Sequence, residues 1–306
     1  MRIINNEHTE EFIHISNCIR KSNLTIEKLD NQQIIKLKNE YSLIKVKDGT
    51  GTPLFIAPGM LGNAFLFVEF SRNLRMDNPV YIFEYPVRQD GSFVTQTMEE
   101  LATYFVTNIQ QIQPKGQYHL AGFSFGGRLI FEIARQLENQ NNKIETITII
   151  DAEGFHKKNR FNYSKLGLEL YVFLKLPIRL KLIYLYKRQA LKGFGKIKVV
   201  FESKKNNNEN QGLSQHQQER DYLKLWYNFY TDYKLNCDMV LIKGMQKEWD
   251  SLLYYIKLIR PDMYFKASVK GKFTMIDIDC QHMGFFKSPH TMEFAQKMQQ
   301  IITKQV

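Results

Sequence analysis

The amino-acid sequence predicts an α/β fold: a mostly parallel, doubly wound sheet with a helical lid inserted into it. Three observations carry that reading. Short apolar runs alternate with amphipathic stretches along most of the chain. Several of those runs are continuously apolar rather than alternating, as expected for strands buried on both faces of a parallel sheet. One interval between two such runs is far longer than any crossover requires.

The elements follow in order. Strands are expected at "SLIKVKD" (42–48), "PLFIAPG" (53–59), "VYIFEYP" (80–86), "YHLAGFS" (118–124), "ETITIID" (145–151), "MVLIKG" (239–244) and "FTMIDID" (273–279). Between them, "TMEELATYFVTNIQQIQ" opens with Thr97 and Glu100 in a capping-box arrangement and keeps helical apolar spacing. "GGRLIFEIARQLENQ" and "TMEFAQKMQQIITKQ" repeat that pattern. Strand–helix alternation of this kind predicts right-handed crossovers around one sheet. Residues 1–40 read as a helical and linker extension, and 41–306 as the principal domain. The long interval, 155–236, reads as the lid. It holds a basic, aromatic stretch at 161–200, a polar Asn/Gln-rich tract near 203–218 expected to be mobile, and "YLKLWYNFYTDYKL", expected to be an aromatic helix.

Bulk properties bound the function. With 306 residues, 43% of them hydrophobic and 13% aromatic, the chain can build a large core. The N-terminal stretch lacks the apolar run of a secretory signal. The greasiest region, "LGLELYVFLKLPIRLKLIYLY", is cut by charges and Pro177, so membrane association is not expected. Three widely spaced cysteines offer neither a disulfide framework nor a zinc site, which fits a reducing cytoplasm. The net charge of +11 suggests an acidic partner, yet no nucleic-acid recognition module is present.

The chemistry-bearing stretch is Gly122-Phe123-Ser124-Phe125-Gly126. A G-x-S-x-G run between a strand and a helix is the sequence form of a nucleophile elbow, whose tight turn lifts a serine hydroxyl above the carboxyl end of the sheet. A serine nucleophile needs a base, and the base needs an orienting acid. In α/β-hydrolases the chain order is Ser, then Asp or Glu, then His. Asp151 ends the next strand, at the same sheet edge. Of the seven histidines, His282 alone follows the last strand and precedes the final helix, whereas His119 lies inside the nucleophile strand and His290 reads as the cap of that helix. An oxyanion hole would combine the backbone N–H of Phe125 with one from the loop in "FIAPGMLGN". Met60 is the choice there, with Leu61 the neighbouring alternative.

Taken together, "PLFIAPGMLGNAFLFVEFSRNL", "PVYIFEYP", "IQPKGQYHLAGFSFGGRLIFEIARQL" and "IDAEG" resemble the thioesterase domains of nonribosomal peptide and polyketide synthases. The resemblance runs from about Tyr41 to Gly154 and resumes at "DCQHMGFFKSPH". It implies that Ser124 is acylated from a thioester presented on the phosphopantetheine of a carrier protein, with no cofactor bound by this chain itself. It also implies Asp151 as the acid, His282 as the base, and Phe125 and Met60 as oxyanion donors. Some members place the acid one strand later, which makes Asp250 the rival. Residues 1–40 carry no carrier-domain serine motif, so the chain looks free-standing or excised. Phenylalanines on both sides of Ser124 and a long lid favour the product-releasing type over the editing type. A general carboxylester hydrolase and a catalytically silent binding protein are the competing readings. The basic, amphipathic stretch 161–200 would suit an acyl chain on one face and an acidic carrier protein on the other.

Overall fold

A computed structural model describes residues 43–60, 64, 66–86, 93–155, 220–246 and 252–304, with a few isolated positions between 173 and 181. The expected extension 1–40, the tract 203–218, most of the expected lid, Leu61 and Asp250 lie outside the described residues.

Seven strands form one sheet: β1 (Leu43–Lys47), β2 (Leu54–Ala57), β3 (Val80–Phe83), β4 (Gln117–Phe123), β5 (Lys143–Ile150), β6 (Asp238–Gly244) and β7 (Phe273–Ile278), in the order β1-β3-β2-β4-β5-β6-β7. Every pairing is parallel except that of β1 with β3. The central runs "LFIA" and "TITII" are almost wholly buried, whereas β1, "LIKVK", is half-buried throughout, as an edge strand with alternating lysines should be.

Helices cover both faces. On one side lie α1 (Leu66–Asn73) and α6 (His290–Ile302), where Phe70 stacks on Phe294 with ring centres 4.6 Å apart. On the other lie α2 (Met98–Ile112), α3 (Phe125–Asn139) and α5 (Leu252–Ile259), with α4 (220–228) packed beyond them. Each face therefore has its own core, and the sheet is buried between them.

Three expectations change in detail. The Thr97 hydroxyl accepts from Glu100 N–H at 3.1 Å, but Glu100 answers to Gln96 N–H, one residue before the cap. Pro289, not His290, occupies the cap position of α6. The aromatic helix stops at residue 228: the Thr231 hydroxyl accepts from Tyr233 N–H, and Glu138 on α3 takes Tyr233 Oη–H and Asn236 N–H, which draws the chain off the helical path.

Register sets the site. Ala57 of β2 lies opposite Gly122 of β4, Phe123 opposite Ile150 of β5, and Ile150 opposite Ile242 of β6. The carboxyl ends of these strands thus finish side by side. Residues that follow them directly, Pro58–Met60, Ser124 and Asp151, share one rim with the loop beyond β7 that holds His282.

Candidate active site

Ser124 joins β4 to α3 in a conformation few side chains adopt, with φ 53° and ψ −118°. Such a strained residue persists only where its surroundings hold it. Here Ser124 N–H donates to Ile150 O at 2.9 Å, continuing the ladder beyond β4, while Gly127 N–H donates to Ser124 O at 2.9 Å and starts the helix. The flanking glycines are needed for contact. A β-carbon on Gly122 would collide with the Gly126 carbonyl, and one on Gly126 with Ala57 O at the end of β2. The turn therefore closes only when both positions lack side chains.

The serine hydroxyl makes no capping bond to its own helix. It lies 3.1 Å from His282 Nε2, and His282 Nδ1 lies 2.7 Å from Asp151 Oδ2. His282 is held in plane by Phe123, stacked on it with 4.7 Å between ring centres and a 25° tilt; Phe286 meets Phe123 edge-on behind. Asp151 is fully buried and takes a left-handed turn of its own, φ 48°. Its N–H extends β6 by donating to Ile242 O, and its Oδ1 accepts from Gly244 N–H at 2.9 Å.

A fourth side chain enters here. Lys257 of α5 places its ammonium 2.8 Å from Asp151 Oδ1 and 2.9 Å from Oδ2, and donates to Gly244 O at 2.6 Å. Sequence reasoning missed it. The available signal was a single charge in the otherwise apolar run "LLYYIKLI", a charge that a buried helix tolerates only when paired. Burial pushes the Asp151 carboxyl up, but the His282 hydrogen bond and the Lys257 charge outweigh it and leave its pKa below the ordinary value.

The loop after β2 passes close to Ser124. A β-carbon on Gly59 would stand 3.5 Å from Ser124 Cβ and 3.0 Å from the Phe123 ring, and Tyr85 Oη–H donates to Pro58 O at 2.6 Å, which pins the turn. Met60 follows with its side chain partly exposed. Phe125 N–H belongs to the first turn of α3, where helix amides have no intrahelical acceptor. The Phe125 ring is buried against Tyr85, Tyr222 and Trp226, which packs the first turn of α3 against α4. Asp151 is the carboxylate that meets His282; the rival Asp250 lies outside the described residues. His119 is buried within β4, near the strand's opposite end.

An oriented Ser–His–Asp array with its carboxylate buried, on a strained turn, suits acyl-transfer chemistry, and comparison with known proteins decides which family carries it. Residues 52–301 match the thioesterase domain family. The chain belongs to that family. Among curated relatives, this thioesterase is 30% identical over 115 residues to atromentin synthetase of Tapinella panuoides, covering 37% of this chain and 12% of that protein. It is 36% identical over 103 residues to the chondramide synthase of Chondromyces crocatus, covering 34% of this chain and 3% of that protein. The thioesterase thus spans about a tenth or less of the length of those two relatives. Among solved structures, the nocardicin NocB thioesterase domain, captured as a covalent complex with a fluorophosphonate analogue, superposes with a TM-score of 0.54 at 16% identity, covering 83% of this chain and 96% of that one. The fold is therefore that of thioesterase domains from nonribosomal peptide and polyketide synthases. Among the described residues of the thioesterase, no helix is long and apolar enough to cross a membrane.

Proposed function

We propose that this thioesterase takes an acyl or peptidyl chain from the phosphopantetheine thioester of a carrier protein onto Ser124 and then releases it. The observation that carries the proposal is the continuous chain Ser124 Oγ–His282–Asp151, at 3.1 and 2.7 Å, on a strained elbow. Ser124 Oγ attacks the thioester carbonyl while its proton passes to His282 Nε2. The carbon–sulfur bond breaks, and the leaving thiolate takes that proton from His282. Water, or a hydroxyl or amine of the same acyl chain, then gives a proton to His282 and attacks the ester. His282 returns the proton to Ser124 Oγ as the product leaves.

Asp151 is proposed as the acid that orients the imidazole and balances its charge. The N–H groups of Phe125 and Met60 are proposed as donors to the carbonyl oxygen as it becomes an oxyanion. The close approach of Gly59 to Ser124 supports the second of these. An acidic carrier protein is the proposed partner, since a chain of net charge +11 attracts one from a distance.

The test compares acyl-N-acetylcysteamine thioesters, nitrophenyl esters and a fluorophosphonate probe on wild type and Ser124→Ala. The expected result is a probe adduct on Ser124 and thioester turnover that Ser124→Ala abolishes. Fast ester turnover with negligible thioester turnover would sink the carrier-release reading, and absence of any adduct would sink the serine mechanism itself.

A further inference from the structure

Lys257 is a buried ionisable group that an acyl-transfer mechanism of this kind leaves unused. It sits in the apolar helix α5, is 2% exposed, and spends its charge on Asp151, the carboxylate that meets His282 Nδ1. An ordinary triad leaves the aspartate anionic, so its field falls wholly on the imidazole. Here Lys257 Nζ and His282 Nδ1 both contact the same oxygen, Asp151 Oδ2, at 2.9 and 2.7 Å. The Lys257 side chain therefore shares the carboxylate with the base. The second bond of Lys257, to Gly244 O at 2.6 Å, fixes where the ammonium stands, because Gly244 N–H also holds Asp151 Oδ1. Asp151, Gly244 and Lys257 close a ring of hydrogen bonds that locks the carboxylate rotamer.

We propose that Lys257 is a positioning residue of the acyl-transfer site, which orients Asp151 and offsets its charge so that His282 serves as base at lower pH than an uncompensated triad would allow. This inference rests on the reading of Ser124 and His282 given above. The sign follows from charge counting. Imidazolium beside a carboxylate alone is favoured; imidazolium beside a carboxylate already paired with ammonium is favoured less. Removing the ammonium strengthens the hold on the proton, and the base is then neutral only at higher pH.

Other charges around the cluster do not supply this balance. Cys280, after β7, is buried and pushed up to about 12, first by burial and then by Asp151, so its thiol stays neutral. Asp279 beside it and Glu293 on α6 are acidic and push the same thiol further up. Lys243 on β6 pairs with Asp277 of β7 at 3.1 Å. Among the described residues, Lys257 is the lysine paired with the Asp151 carboxylate.

The experiment uses the full chain and measures fluorophosphonate labelling of Ser124, together with hydrolysis of an acyl-N-acetylcysteamine thioester, from about pH 5 to pH 9, across the histidine range. Variants are Lys257→Met, Lys257→Gln, which keeps a donor for Gly244 O, and Lys257→Arg, which keeps the charge. In the Met and Gln variants the acid-side inflection of both rates moves up by about one pH unit, while Lys257→Arg stays near wild type. An unmoved inflection in folded Lys257→Gln, or a rate lowered by the same factor at every pH, overturns the proposal. So does failure of both neutral variants to fold, which would make Lys257 purely structural. Labelling without thioester turnover in wild type would instead count against the thioesterase reading, and the labelling profiles would still judge Lys257.

Discussion

Asp151 carries donors from three directions on one buried carboxylate: Gly244 N–H, His282 Nδ1 and the Lys257 ammonium. Replacing it by Asn should lower Ser124 acylation about 10³- to 10⁴-fold, because the amide neither selects the His282 tautomer nor balances its charge. Rates of probe labelling for Asp151→Asn and wild type at one pH check this. The same residue sets an acid dependence of stability. Its folded pKa lies below the ordinary carboxylate value, so its contribution is fully present above the unfolded value, near pH 4, and is lost as pH falls through the folded one. Melting temperatures of wild type should therefore drop below about pH 4 more steeply than those of Asp151→Asn. That Ser124, Asp151 and His282 meet at one sheet rim was legible at this scale, because each follows a strand recognisable from its own residues. Lys257 was not. Its partner is 106 positions away, and only the packing of α5 brings them together.

Arg128 shows what holds the elements around the site. From the first turn of α3 its guanidinium donates to Glu153 O and Gly154 O, just past β5, and to Trp226 O in α4, while lying 3.8 Å above the Trp226 ring. One side chain thus ties the nucleophile helix to both ends of the long insertion between β5 and β6. Arg128→Met would leave three carbonyls without that donor, and a loss of roughly 3 kcal/mol or more is expected, read by urea unfolding. Gly122→Ala attacks a different joint. Its methyl would meet the Gly126 carbonyl, so the elbow must shift, with an expected cost of about 1–3 kcal/mol and a larger loss of labelling rate than of stability. The strands were readable because parallel-sheet interiors demand continuous apolar runs. The end of the aromatic helix was not, since Glu138 acts on it from another element.

Across the whole molecule, the two cores lie on opposite faces of the sheet, and the site lies at neither. Phe294→Ala, in the core of α1 and α6, should cost about 3–5 kcal/mol while leaving the pH profile of labelling unchanged in the surviving folded protein. The net charge of +11 yields a second expectation: association with an acidic carrier protein slows as salt rises, measured as the on-rate between low and physiological ionic strength. The sheet order has one more consequence, and it concerns timing. Ser124, Asp151, Lys257 and His282 reach the rim from four successive stretches of chain, the last beyond β7. During synthesis Ser124 leaves the ribosome long before His282, so a nascent chain that stops before β7 lacks the proposed base, however well its first six strands have folded. Stalled ribosome-bound chains ending before residue 273 should not react with the fluorophosphonate probe, and reactivity should appear only once β7 and His282 can dock. On the proposed mechanism, the order of the strands would keep an unfinished chain from acylating Ser124.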